Sequence, residues 1–200
     1  MAARGKQNAW FSLLRTVLPA ENVLEEELAP SWLVRPGRSE ARNAWPLLTE
    51  AYQQLTGRQL PDTMPPRETR RLDVLMTYPD GRQRAIEFDE RQHFTAARLI
   101  TLDLSQTVRV GFDVDDWRAQ SIARIGREPG GGFARPCPPL FDEPGGRHKQ
   151  RAFRDLIADT LPAQYGWLPT VRFHEYETRE VRHASEPAEA MAKLWADKTR

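Results

Sequence analysis

The stretch from Arg71 to Phe94 limits what this chain can fold into more than any other. Two strand-like runs flank Tyr78-Pro79-Asp80-Gly81. Pro79 suits the second position of a type I turn, and Gly81 suits the left-handed residue that follows it. Together they predict a three-residue hairpin loop. In that register Tyr78 faces Arg82, and Asp73 lies directly opposite Glu87. Ala85 and Asp89 share their face, while Val74, Met76, Ile86 and Phe88 point the other way. The alternative, a two-residue primed turn at Asp80-Gly81, shifts the pairing by one. It would set Asp73 across from Phe88 and split the carboxylates between faces. Two like charges directly opposite repel, so the first register costs energy unless a cation sits between them. The second run ends in Glu87, Asp89, Glu90, Gln92 and His93. A strand end that is polar on both faces packs poorly and suits a hard divalent cation, which takes carboxylate oxygens, waters and phosphates.

The rest of the chain supplies elements to pack around the hairpin. Its 200 residues suit one domain. The expected division is a helical extension over 1–37, a core over 38–176 with a loop-rich insertion at 104–147, and a C-terminal helix over 177–200. Trp10, Leu13, Leu14 and Val17 recur at helical spacing before Pro19. Residues 21–30 read as a short acidic helix or a solvated turn. Ser39 is the expected N-cap of a helix running to Thr56 and ended by Gly57. Glu40 falls at the edge of its apolar stripe, looking inward or serving as a first-turn acid. Residues 94–104 fit a helix start or a strand. Asp113, Asp115 or Asp116 can cap a helix running through Trp117, Ile122 and Ile125. Between Arg127 and Arg147, five Pro and five Gly predict a loop, either an insertion or a flap. Lys149–Leu161 is amphipathic and expected to end at Pro162. Thr170–His174 alternates like a strand, and Ser185 with Pro187 opens a last helix. The pattern is that of an α/β (α+β) fold, with a small mixed sheet built on a central hairpin and flanked by helices.

Several classes of function are excluded or unsupported. Net charge is +1, which does not announce a polyanion-binding protein, although an acidic site would mask basic residues elsewhere. The lone cysteine, Cys137, cannot close an intrachain disulfide, and a reducing cytoplasm fits. No stretch is apolar and long enough to span a membrane. Cys137, His148, His174 and His183 lack the spacing of a structural zinc site. Gly130-Gly131-Gly132 lacks the Lys-Ser/Thr of a phosphate-cradling loop.

The order helix, acidic hairpin, insertion, helix, strand, with Asp73 followed by Glu87-Phe88-Asp89 and Gln92-His93, resembles the PD-(D/E)xK nuclease superfamily. It is most similar to the branch of very-short-patch repair endonucleases, whose members often carry Glu-x-Asp-Gly-x-x-His. Ile86 to His93 matches that run except that Glu90 replaces Gly. Gly166 to Phe173 matches the closing strand, and Ser39-Glu40 matches the helix opening. Leu72, not Pro, precedes Asp73, and Asp89 stands where the superfamily usually has lysine. The resemblance implies a restriction-endonuclease-like core and Mg²⁺- or Mn²⁺-dependent hydrolysis of phosphodiester bonds in DNA, in a repair or defence setting. It implies Asp73, Glu87 and Asp89 as metal ligands, with Gln92, His93 and Glu40 completing the catalytic set. His93 would act as acid, base or phosphate contact. Of the basic residues near the hairpin, Arg70, Arg71 and Arg91 are candidate contacts to nucleic acid, joined by Gln150 and Arg154 on the late helix. Arg67 belongs to the same basic group. The second reading is a catalytically silent binding module that kept the scaffold.

Overall fold

The hairpin forms in the three-residue register. Strands β2 (Leu72–Thr77) and β3 (Gln83–Asp89) pair antiparallel, with Val74 facing Ile86, Leu75 facing Ala85 and Thr77 facing Gln83. Tyr78 N donates to Arg82 O at 2.8 Å and Gly81 N to Tyr78 O at 2.9 Å, with Gly81 at φ 82°. That φ is costly for any residue with a Cβ, so the glycine fixes the loop, and the loop fixes the register.

The computed structural model describes residues 2–66, 68–105 and 108–200, with side chains from residue 7 onward; Arg67 lies outside the described residues. Around the hairpin the sheet gains a strand on each edge. β1 (Val23–Leu28) runs antiparallel to β2, and β4 (Leu168–His174) runs parallel to β3, in the order β1-β2-β3-β4. The segment read as an acidic helix or turn is therefore an edge strand. Pairing with β2 overrides its weak local preference, and Glu25, Glu26 and Glu27 charge an edge that would otherwise invite further pairing.

Helices cover both faces of the sheet. Trp10 and Leu14 of α1 (Ala2–Val17) and Met191 of α8 (Pro187–Thr199) bury against Val74, Met76, Ile86, Phe88, Val171 and Phe173. The Trp10 ring stacks 5.0 Å from that of Phe88. On the other face α3 (Trp45–Thr56), α4 (Ala96–Leu104) and α6 (Gly146–Gln164) bury Leu48, Ala51, Phe153 and Leu156 together with Ala85. The alternation of β3 thus sends Ile86 and Phe88 to one layer and Ala85, Glu87 and Asp89 toward α6. No helix among the described residues is long and apolar enough to cross a membrane.

Several boundaries differ from the sequence expectation, each for a local reason. The helix expected from Ser39 to Thr56 is broken at Arg42, which has φ 50°. A single turn, α2 (Arg38–Ala41), is capped at Gly37, and α3 then starts afresh and ends at left-handed Gly57. Pro46 has no N–H for the Arg42 carbonyl, so the helical ladder cannot run on from that carbonyl. Pro162, by contrast, does not end α6. Its missing N–H would have bonded Ala158 O, and that oxygen instead accepts from Thr170 Oγ1 at 2.6 Å. Residues 94–104 resolve to a helix, with the Thr95 side chain accepting from Arg98 N. α5 (Val114–Ile122) is capped by Asp113, but only Trp117 of its expected apolar residues is buried; Ile122 and Ile125 are exposed and the helix stops at Ile122. The Pro/Gly-rich loop packs down through buried Leu140 and Phe141, with Tyr52 Oη donating to Leu140 O. The C-terminal part holds two helices, since α7 (Glu175–His183) follows β4 directly, its first turn capped by the His174 side chain.

Candidate functional site

A cleft of about 380 Å³ opens where β2 begins and β3 ends, between the sheet and the N-terminal half of α6. Its floor is a row of acids set by strand register. Glu26 faces Val74 and Leu28 faces Leu72, which brackets Glu27 across from Asp73. Asp73 in turn lies beside Glu87, whose neighbour across β4 is Arg172. Asp73 Oδ2 accepts from Phe88 N at 2.8 Å, and Glu87 Oε1 lies 3.4 Å from Asp73 N. Glu87 Oε2 is paired to Arg70 Nη2. Among the described residues Asp73 Oδ1 has no hydrogen bond, and Glu87 Oε1 has only the long one. Burial pushes the Glu87 carboxyl up to about 8, with Arg70 opposing and Asp73 adding. Burial likewise pushes Asp73 up to about 6, against Arg70 and the Phe88 N–H, with Asp89 and Glu27 adding. Two acids with free oxygens, held above the usual carboxylate range by desolvation, form a donor set that fits a hard divalent cation.

Asp89 takes a different role from the one its position on the strand suggests. It is fully buried and does not line the cleft. Trp117 Nε1 donates to its Oδ2 at 2.7 Å, and Arg172 Nη1 donates to its Oδ1 at 2.8 Å. Arg172 also bonds Asp159 Oδ1 at 2.6 Å and the Asp155 carbonyl at 3.1 Å, while Arg98 bonds Asp159 at 2.9 Å. The result is a fully buried chain of alternating charges under the cleft floor. His93 connects that chain to the cleft. Its Nδ1 is 2.9 Å from Asp155 Oδ2 and 3.3 Å from Asp89 Oδ1, which leaves Nε2 as the ring nitrogen for the cleft it lines. Burial would raise Asp155, but His93 and Arg172 outweigh it and hold the carboxyl well below the usual range.

Asp89, His93 and Asp155 bring possible ligand atoms within 4.8 Å of one another, so this group could also hold a metal ion. Arg172 already neutralises it, and the arrangement is better matched to fixing the His93 ring. A second such group joins Asp116 of α5 to His174 at the end of β4 and Glu177 of α7. There His174 Nε2 bonds Asp116 at 2.8 Å and Lys198 Nζ bonds Glu177 at 2.9 Å, so each acid has a partner.

The remaining candidates fall into three sets. Arg70, Arg71, Gln92 and Arg154 line the cleft. Arg71 donates to Glu27 O at 3.2 Å, Gln92 donates to Glu90 at 2.5 Å, and Arg154 is tied to Glu68 at 2.8 Å. Arg91 lies just outside, exposed on the turn that carries His93. Gln150 and Glu40 point elsewhere. Gln150 is buried between Glu68 and Arg147, and Glu40 caps its own helix by accepting from Gly37 N at 2.9 Å. The Ser39 hydroxyl, which also donates to it, holds the Glu40 carboxyl low.

Sequence reasoning missed Asp155, Arg147, Arg151, Arg172 and Glu27. Asp155 and Asp159 had a legible signal, two acids one turn apart among the apolar residues of α6. Arg151 is pushed down to about 10, first by burial and then by Arg147, so this part of the cleft carries unmatched positive charge. The chain matches none of the protein families, curated proteins or solved structures with which it was compared.

Proposed function

We propose that this chain is a metal-dependent nuclease that hydrolyses phosphodiester bonds of DNA, built on a restriction-endonuclease-like core. One observation carries the reading. Asp73 and Glu87, two carboxylates that each keep an oxygen for a cation, share a cleft with Arg70, Arg71, Arg147, Arg151 and Arg154. Acids that suit a cation beside arginines that suit a polyanion are what phosphodiester chemistry asks of a protein. The element order supports it: α1, the antiparallel strands β1, β2 and β3, then α6 and the parallel strand β4.

Asp73 and Glu87 would hold Mg²⁺ or Mn²⁺, which when bound supplies an activated water and neutralises charge on the phosphoryl oxygens. The chain's own groups bind and orient the rest. Arg147 and Arg151 meet phosphate oxygens from the α6 side. Arg70 is held in the cleft wall by its pairing with Glu87 and keeps positive charge next to the proposed metal ligands. His93, its ring fixed through Nδ1 by Asp155, offers Nε2 for a proton or a phosphate contact. Asp89 supports Arg172 and His93 from below rather than meeting the substrate.

A second reading, a silent nucleic-acid- or protein-binding module, is favoured by one detail: Arg70 already occupies one oxygen of Glu87. Supercoiled plasmid and single-stranded DNA incubated with Mg²⁺ or Mn²⁺ separate the two. Cleavage that is lost in EDTA and lost at least 100-fold in Glu87→Gln is the expected result. Retained DNA binding without cleavage by the wild-type chain would establish the module instead.

A further inference from the structure

The cleft is too short to define the path of a nucleic-acid strand, but the hollows that share its walls differ in charge. One, of about 90 Å³, shares Asp73 and Glu27 with the cleft and adds Glu26, Trp10 and Phe11. It is acidic, and a polyanion is repelled from it. Another shares Arg70 and Arg154 but holds only about 10 Å³ and is walled by Pro36, Met64, Phe153 and Ile157. It is too small and too apolar for a sugar-phosphate unit. A third, of about 400 Å³, shares Phe88 with the cleft and is lined by Arg91, Arg179, Arg182, Tyr176 and Glu175. Three guanidinium groups there face one carboxylate.

This third hollow is also next to the chemistry. Phe88, next to the proposed ligand Glu87 in β3 but turned to the other face of the strand, borders both spaces. Arg91 sits between Glu90 and Gln92, both of which line the cleft, so the turn at Arg91–His93 is the ridge between the two spaces. Arg179 and Arg182 are exposed on α7, one turn apart on the same side. Neither residue supports the core, so their placement along the edge of a hollow has no packing explanation.

We propose that a nucleic-acid strand leaving the cleft crosses the ridge beside Phe88 and lays its backbone along α7, where Arg91, Arg179 and Arg182 contact its phosphates. The proposal deepens the nuclease reading and rests on it. It makes the preferred substrate longer than the cleft, with the extra length on the α7 side and away from the acidic edge strand.

The test is binding of fluorescein-labelled single-stranded DNA, from about 4 to about 20 nucleotides long, to the full chain in EDTA. Wild type is compared with Arg179→Ala/Arg182→Ala and with Arg179→Lys/Arg182→Lys. Both positions are exposed, and circular dichroism confirms folding. The expected result is a length-dependent loss. The alanine pair binds the long oligonucleotides about 10-fold more weakly than wild type and the shortest ones alike, and its salt slope on long DNA falls by about 1.4. The lysine pair keeps the wild-type slope. Equal affinity of wild type and the alanine pair at every length overturns the proposal while leaving the nuclease reading intact, and so does a loss independent of length. Absence of DNA binding by wild type at all lengths overturns both.

Discussion

Glu87 and Asp89 are two residues apart on one strand face, yet their surroundings assign them opposite duties. Asp89 is matched to Arg172 and Trp117, whereas Glu87 is under-matched. The two neutral isosteres should therefore differ in sign. Asp89→Asn leaves Arg172 short of a buried partner and should cost about 3 kcal/mol in denaturant unfolding. Glu87→Gln should leave the metal-free protein unchanged or more stable at pH 8, and should abolish any rise in melting temperature on adding Mn²⁺. The pH dependence follows from the same two acids. Asp73 and Glu87 have folded-state values of about 6 and about 8, above their ordinary 3.8 and 4.5. Their contribution is fully present below about pH 4 and lost as pH rises through 6 and then 8. The metal-free melting temperature should fall over that interval, by the equivalent of a few kcal/mol, and Mn²⁺ should restore it most at the alkaline end. A flat profile between pH 5 and 8.5 would remove the case for two under-matched acids. The sequence carried the placement of Asp73 and Glu87, because a local turn decides it. It did not carry the fate of Asp89, because Trp117 and Arg172 reach it from segments 28 and 83 residues away.

At the scale of elements, α6 carries most of what faces the sheet. Arg147, Arg151, Arg154 and Asp155 all ride on its first turns, and Gly146 sets where those turns begin. A Cβ on Gly146 would lie 2.0 Å from Phe141 O and 3.2 Å from Cys137 N, so the helix start must shift to admit one. Gly146→Ala should lower stability by about 2 kcal/mol despite alanine's better helix propensity, and should weaken DNA binding more than that loss of folded protein explains. Thermal unfolding together with anisotropy at a temperature where both proteins are folded would show it. The amphipathic stripe of α6 was legible, as were the hairpin and β4. β1 was not, because three consecutive glutamates obscure an alternation that only β2 completes. The break at Arg42 did leave a sign in the sequence, because Pro46 inside the expected helix cannot donate to the Arg42 carbonyl.

At the scale of the whole molecule, a net charge of +1 conceals a separation of sign, with acids on the β1 edge and arginines around α6 and α7. Association with DNA should accordingly weaken steeply with salt, as the cleft arginines displace counterions, whereas a near-neutral surface would give a shallow slope. The floor of the cleft has one more consequence. Its row runs from Glu27 through Asp73 and Glu87 to Arg172, across all four strands and most of the chain's length. During synthesis the three acids, and Arg70 that pairs with Glu87, emerge well before Arg172. A chain that stops short of Leu168 lacks Arg172, the guanidinium that bonds Asp89 and the Asp155 carbonyl. The row of charged groups is therefore completed late in the chain, when β4 brings Arg172 beside Glu87.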